Sequence, residues 1–123
     1  KSIPGVSLID YDQGEQCNYQ YIVLELDDAL TGLSRDQLMD ILWAENVMAR
    51  RYFYPPCHHV EPYCSRSQVP HLPILEKLST RVLVLPNGTS IGKSDIENIC
   101  QIMRLVITNS QEVIRKINDF AKK

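Results

Sequence analysis

The 123-residue sequence lacks several features that would place it in a specialised class of protein. It has no large excess of either charge, since its formal net charge is −2, which argues against nucleic-acid binding driven by bulk charge. No apolar run approaches the roughly 20 residues that a membrane-spanning helix needs, and the N-terminus does not have the pattern of a signal peptide. Four cysteines are too few for a disulfide scaffold, so we expect reduced thiols and a cytoplasmic protein.

The size and composition are those of one ordinary globular domain. A chain of 123 residues can bury a real core but is small for a complete enzyme with a large cofactor. Hydrophobic residues make up 44% of the sequence, a share that is typical of soluble globular proteins. The chain begins with Lys1 rather than methionine, which suggests a fragment or a processed product.

Alternation and helical spacing predict an α+β fold, in which a small, mostly antiparallel three-stranded sheet is flanked by helices. An extended lead-in over residues 1–16 precedes the sheet, with turns at residues 4–5 and 13–14. The predicted strands are 18–26, 47–53 and 81–85. The predicted helices are 34–45, a short one at 73–78, 94–107, and a closing helix that includes Val113 and Phe120 and is followed by Lys122 and Lys123.

Local signals predict where the longer helices begin and end. Ser34 with Gln37 and Ser94 with Glu97 have the spacing of capping boxes, in which two side chains satisfy each other's free backbone amides. Asn46 follows the first of these helices, and asparagine tolerates the left-handed conformation that ends helices.

Residues 50–63 are the most unusual stretch, because fourteen positions hold four aromatics, three prolines, two adjacent histidines and two arginines. The prolines at 55–56 cannot donate to a sheet ladder, so the strand ends there and the chain carries residues 57–59 across the strand end. Rigid loops at strand ends often hold binding residues. An edge strand with a tyrosine-rich surface and a proline stop explains the same residues about equally well.

Alternation along this strand separates two sets of side chains. Val47, Ala49 and Phe53 would be buried against helices. Arg50 and the tyrosines at positions 52 and 54 share the other face and would meet a polar partner.

Five residues of the zinc-ligand types lie within fifteen positions: Cys57, His58, His59, Cys64 and His71. They lack Cys-x-x-Cys spacing, and adjacent histidines in an extended segment diverge. We therefore predict no metal site, but a buried, reduced Cys57 beside histidines that reach solvent. The same residues form no recognisable motif for a nucleophilic cysteine.

The glycine-flanked segment 87–92 precedes a predicted helix, which suits anion binding at a helix N-terminus. It lacks the lysine and the spacing of a phosphate-binding P-loop. A loop that simply joins a strand to a helix is therefore the favoured interpretation.

Several motifs, in the same order along the chain, resemble the C-terminal domain of nucleotide-sugar aminotransferases of the DegT family. They are NYQYIV at 18–23, ARRYFYPPCH at 49–58, Tyr63, LPILE at 72–76, RVLVLP at 81–86 and SDIE at 94–97. The lead-in at residues 3–5 also fits, so the resemblance covers essentially the whole chain. Asn46 stands where the family has glycine, and Cys57 stands where it commonly has leucine or valine.

The resemblance implies an enzyme dependent on pyridoxal phosphate that transfers an amino group from an amino acid, commonly glutamate, to a nucleotide-linked keto-sugar. The cofactor and its Schiff-base lysine would lie in a larger N-terminal domain absent from this chain. The chain would then be a single small C-terminal domain, residues 1–123, with no catalytic, cofactor-binding or metal-binding residue of its own.

Within the chain, the resemblance implies four substrate-binding residues: Arg50, Tyr52, Tyr54 and His58. A phosphorylated and hydroxylated substrate needs cations and hydroxyl-bearing rings on a rigid frame. The full-length enzyme would be a homodimer with neither a nucleic acid nor a membrane as partner. The alternative is a stand-alone, non-catalytic binding or dimerisation module.

Overall fold

The computed structural model describes residues 2–65 and 69–120, without the side chain of residue 120. Its four-stranded antiparallel sheet has the order β1-β2-β4-β3. The strands are β1 (Val6–Leu8), β2 (Ile22–Leu26), β3 (Arg50–Arg51) and β4 (Val82–Leu85). The helices are α1 (Asp28–Thr31), α2 (Arg35–Ala44), α3 (Pro73–Ser79), α4 (Lys93–Thr108) and α5 (Ser110–Phe120), with a 3₁₀ turn at Cys57–His59. Among the described residues, no helix combines the length and the apolar character needed to cross a membrane.

The core lies between the central strands and helices α2 and α4. Alternate residues of β2, Leu24 and Leu26, are buried, as the period of two predicts. Leu38 and Leu42 are one turn apart on α2 and are also buried, as the helical period predicts. Met39 on the same helix is also buried, whereas Trp43 is 48% exposed. The predicted α+β class with a small antiparallel sheet is therefore confirmed, although the sheet has four strands.

The additional strand is β1, which lies in the predicted extended lead-in. It pairs with β2 so that Val6 faces Leu26 across the ladder. The predicted turn at residues 4–5 precedes it, and Gly5 adopts a φ of 71° there. A Cβ at Gly5 would lie 2.8 Å from Leu30 Cβ, so this turn requires glycine both for its backbone conformation and for space.

Strand β2 begins at Ile22 rather than at residue 18 as predicted. Tyr19 has a φ of 50°, which interrupts an extended chain. The side-chain amide of Asn87 donates to the carbonyls of Tyr19 and Gln20, at 2.8 Å each. These carbonyls therefore have a side-chain partner outside the sheet ladder.

Strand β3 is much shorter than the predicted 47–53, because only Arg50 and Arg51 pair with β4. Val47 and Ala49 are buried as predicted, but the burial of Phe53 was wrong, since its side chain is 70% exposed. Phe53 has a φ of 50°, so the alternation of an extended chain does not continue through it.

The helix ends show how local the capping signals are. Ser34 and Gln37 form the predicted capping box, and Asn46 has the expected positive φ of 60°. The prediction that Ser94 caps α4 was wrong, because the cap is Gly92, whose N–H donates to Asp95 Oδ2 at 2.8 Å. The Asp95 carboxylate therefore accepts from the N-cap amide at the start of α4. Lys122 and Lys123, which were predicted to suit the C-terminus of the closing helix, lie outside the described residues.

Candidate functional site

The exposed cation of the candidate site, Arg50, lies on the edge strand β3. It lines a pocket of about 210 Å³ together with Tyr21, Met48 and Asn87, among others. The Asn87 side chain, which forms one wall of this pocket, is held in place by hydrogen bonds to the carbonyls of residues 19 and 20. An exposed cation beside a polar wall suits an anionic or hydroxylated ligand.

Tyr52 follows β3 and is half-buried between two aromatic rings. Its ring centroid lies 5.3 Å from that of Tyr21, in an edge-to-face contact, and 4.4 Å from that of Phe53. Tyr52 also lines an apolar cavity of about 500 Å³ beside Cys57 and Leu75. Tyr21 therefore connects the Arg50 pocket to the ring of Tyr52.

Tyr54 is exposed and lies beside two guanidinium groups. The Cζ atoms of Arg35 and Arg51 are 5.2 Å and 5.3 Å from its ring centroid, within the range of cation–π contacts. Asp36 Oδ1 accepts from Arg35 Nε at 2.6 Å and from Arg51 Nε at 3.0 Å. One carboxylate therefore compensates both cations beside the tyrosine.

Arg35 anchors this group, since it is a cation with 1% of its side chain exposed. Its Nη1 donates to the carbonyls of Ser79 and Val82, at 3.0 Å and 3.1 Å. Arg35 was not predicted to belong to the site, although the sequence contains a signal that its side chain is buried. Arg35 lies three and seven residues before Leu38 and Leu42, so it belongs to the buried stripe of α2 and must have buried partners.

His58 lies in the 3₁₀ turn and is 4% exposed. Its Nε2 is 3.4 Å from Glu76 Oε1 on α3, and its ring centroid is 4.1 Å from that of His59. His71 Nδ1 lies 3.1 Å from the same carboxylate oxygen. The Leu72 N–H also donates to this oxygen at 3.0 Å, and this bond, followed by the two histidine contacts, lowers the pKa of Glu76.

Two predictions for this turn were wrong. Cys57 is exposed rather than buried, and His58 is buried rather than in contact with solvent. A 3₁₀ turn rotates successive side chains by a third of a turn, so three consecutive residues point in three directions. His59 and His71 are exposed, as predicted. Glu76 was missed, because no sequence pattern pairs a carboxylate of α3 with a histidine in a distant turn.

The four predicted substrate residues do not share one pocket. Arg50 lines the polar pocket, Tyr52 lines the apolar cavity, and Tyr54 lies beside two arginines. His58 faces Glu76. They lie at positions 50, 52, 54 and 58, in β3 and in the segment that follows it, and their assignment to a substrate remains a prediction.

Comparison with known proteins identifies the kind of chain that carries these features. Residues 1–104 match the family model described as the DegT/DnrJ/EryC1/StrS aminotransferase family. The chain belongs to this family. Within it, the dTDP-4-amino-4,6-dideoxy-D-glucose transaminase of Escherichia coli is 29% identical over 105 residues, which are 84% of this chain and 28% of that protein. The transaminase of the same name from Shigella dysenteriae is 28% identical over 104 residues, 85% of this chain and 28% of that protein.

Solved structures of aminotransferases share the fold of this DegT/DnrJ/EryC1/StrS family chain. The crystal structure of DesI in the presence of its TDP-sugar product is 42% identical, with a TM-score of 0.84 over 94% of this chain and 29% of DesI. The aminotransferase TlmJ from Streptoalloteichus hindustanus has a TM-score of 0.73 over 89% of this chain and 28% of TlmJ. TlmJ is 21% identical, so it supports the fold alone. The chain spans about 28% of the length of its curated relatives.

Proposed function

We propose that this chain is the C-terminal small domain of an aminotransferase that uses pyridoxal phosphate to aminate a nucleotide-linked keto-sugar. The observation that carries the proposal is the family match over residues 1–104, together with 42% identity to DesI, whose structure contains a TDP-sugar product. The full-length enzyme would use an amino acid as donor, with glutamate the first to test, and would be a cytoplasmic homodimer.

The described lysines do not fit a cofactor site. Lys77, Lys93 and Lys116 are exposed on helices, and the last two pair with glutamates four residues away. A Schiff-base lysine instead lies in an enclosed site that tunes its pKa. Since the chain spans only 28% of its curated relatives, we propose that the cofactor binds in the remainder of the full-length protein. There, pyridoxal phosphate supplies the electron sink for amino transfer.

In this proposal, the chain's own residues place the sugar substrate and exclude water. Arg50 is the exposed cation that would face a phosphate of the nucleotide, and Tyr52 and Tyr54 would present their hydroxyls to the sugar. His58 would bind the sugar from the turn that follows Tyr54, and its buried ring also contacts Glu76 of α3.

The proposal can be tested in the full-length enzyme by single-turnover kinetics of the two half-reactions. We expect Tyr54→Phe and His58→Ala to lower kcat/KM for the nucleotide-sugar by about 2-fold to 100-fold, the range for losing one hydrogen bond to a neutral or charged partner. The half-reaction with the amino donor should change much less, because the sugar is then absent. Tyr19→Phe is the matched control, since the Tyr19 ring packs on Tyr11 outside the proposed contact surface.

Two outcomes would contradict this role. Equal losses in both half-reactions would show that Tyr54 and His58 affect the enzyme as a whole. A fall in Tm that accounts for the lost activity would show that they only stabilise the loop. For the domain assignment, we expect the isolated chain to have no transaminase activity with pyridoxal phosphate. A cofactor adduct at one specific lysine of the chain would overturn that assignment.

A further inference from the structure

A compact cluster of two histidines and one carboxylate lies where the 3₁₀ turn contacts α3. His58, His59 and Glu76 each offer one ligand atom, and these three atoms lie within 4.8 Å of one another. The shortest separation the structure gives is 3.4 Å, between His58 Nε2 and Glu76 Oε1. The sequence did not predict this arrangement, because the contact between the two histidine rings, whose centroids lie 4.1 Å apart, depends on the turn, and Glu76 comes from a separate helix.

The buried histidine of this cluster has unused bonding capacity. His58 is 4% exposed, and its Nδ1 has no hydrogen-bond partner among residues 2–65 and 69–120. Its other nitrogen has only the 3.4 Å contact with Glu76, which is long for a hydrogen bond. Buried polar atoms in folded proteins normally have partners. No hydrogen bond of ordinary length fixes the tautomer of His58, so the lone pair of the neutral ring can lie on Nε2, the nitrogen that faces Glu76 and would bind an ion.

The donor set selects the kind of ion. Two imidazoles and one carboxylate suit zinc, whereas magnesium and calcium prefer oxygen ligands alone. Glu76 is held in position by the Leu72 amide at 3.0 Å. Ligand atoms on tetrahedral zinc lie about 3.3 Å apart, given metal–ligand distances of about 2.0–2.1 Å. The three ligand atoms, which lie within 4.8 Å of one another, would reach that separation by rotation of their side chains.

We propose that His58, His59 and Glu76 bind one zinc-type divalent ion, with the fourth position left to water. The ion cross-links the 3₁₀ turn to α3 and so fixes the loop that follows Tyr54. This goes beyond the proposed aminotransferase function, whose residue roles involve no metal ion. Its test reads metal binding rather than sugar turnover, so either proposal can fail without the other.

The test uses the full-length protein after treatment with a chelator and removal of that chelator. Zn²⁺ alone is titrated by calorimetry, and Co²⁺ binding is followed by its visible absorption, which reports coordination number. His59→Ala removes an exposed ligand, so folding should be preserved. Glu76→Gln removes the charge but keeps an oxygen for the Leu72 amide. His71→Ala is the matched control, because His71 touches the same Glu76 oxygen but lies outside the three-atom group.

We expect the wild-type protein to bind Zn²⁺ at least about 10-fold more tightly than His59→Ala or Glu76→Gln. His71→Ala should lose less affinity than either of these variants, because His71 touches the Glu76 carboxylate but offers no ligand atom to the group. Zn²⁺ should also raise the Tm of the wild type more than that of His59→Ala, since an ion that binds only the folded state stabilises it. Equal affinity and stoichiometry in the wild type and His59→Ala would overturn the proposal. So would a loss of binding in His71→Ala alone.

Discussion

The two sides of strand β4 are held together by different kinds of interaction. Toward β2, the strands form a regular ladder, and leucines from the sheet and α2 are buried together. Toward β3, only Arg50 and Arg51 pair with β4, and single side-chain contacts organise the chain beyond them. The apolar side rests on many similar contributions, each about 1.5–3 kcal/mol for a buried side chain. The polar side depends on a few specific bonds.

The apolar side therefore determines the stability of the fold, whereas the polar side determines the positions of the candidate binding residues. Loss of one leucine on the apolar side should weaken the whole fold. Loss of one polar contact beside Tyr54 or His58 should move a candidate binding residue, with a smaller effect on unfolding. Arg35 connects the apolar side to the polar side, because it belongs to the buried stripe of α2 and also contacts Tyr54.

The largest expected effect is on the apolar side. Leu38→Ala should lower the free energy of unfolding by about 2–5 kcal/mol, because it leaves a cavity in a fully buried position. Leu105→Ala, an exposed leucine on α4, is the matched control and should change stability by about 0.5 kcal/mol or less. Urea denaturation followed by circular dichroism measures both. Similar losses in the two variants would contradict the placement of the core.

A somewhat smaller effect is expected at the link between the two sides. Arg35→Met should lower the free energy of unfolding by about 2–4 kcal/mol, because two hydrogen bonds from a buried cation to carbonyls are lost. Arg51→Met is the matched control, since Arg51 also contacts Asp36 and Tyr54 but is exposed. Its loss should cost about 1 kcal/mol or less. Equal unfolding midpoints for the two variants would show that the Arg35 contacts contribute little.

The smallest effect concerns pH on the polar side. The Leu72 amide, followed by His58 and His71, lowers the pKa of Glu76 from its ordinary value of 4.5. The ionised carboxylate therefore stabilises the fold above that value, and the contribution is lost as the pH falls through the lower pKa of the folded state. The Tm difference between the wild type and Glu76→Gln should shrink between about pH 6 and about pH 3. A constant difference over this range would contradict the assignment.

What could be read from the sequence was local. The capping box at Ser34 and the left-handed Asn46 were predicted because each depends on residues within one turn. The buried leucines of α2 followed from the helical period. The predicted cap at Ser94 was wrong, because Gly92, whose N–H donates to Asp95, caps the helix instead.

What could not be read depends on distant partners. Strand β1 exists because β2 pairs with it, and its own three residues have no strong pattern. Arg35 bonds to carbonyls 44 and 47 residues away, so nothing local reveals them. The positive φ of Phe53 ended the alternation that had placed its ring in the core. The candidate site was thus located along the chain by composition, whereas its internal contacts required the structure.

The indole of Trp43 offers an optical consequence of this packing. Trp43 is the only tryptophan of the chain, and its Nε1–H donates to the Ala49 carbonyl at 2.6 Å, one residue before the edge strand begins. About half of its side chain remains in solvent, at 48% exposure. Its emission wavelength should therefore respond when the segment leading to Arg50 shifts, so the protein contains an intrinsic fluorophore at the entry to its candidate site.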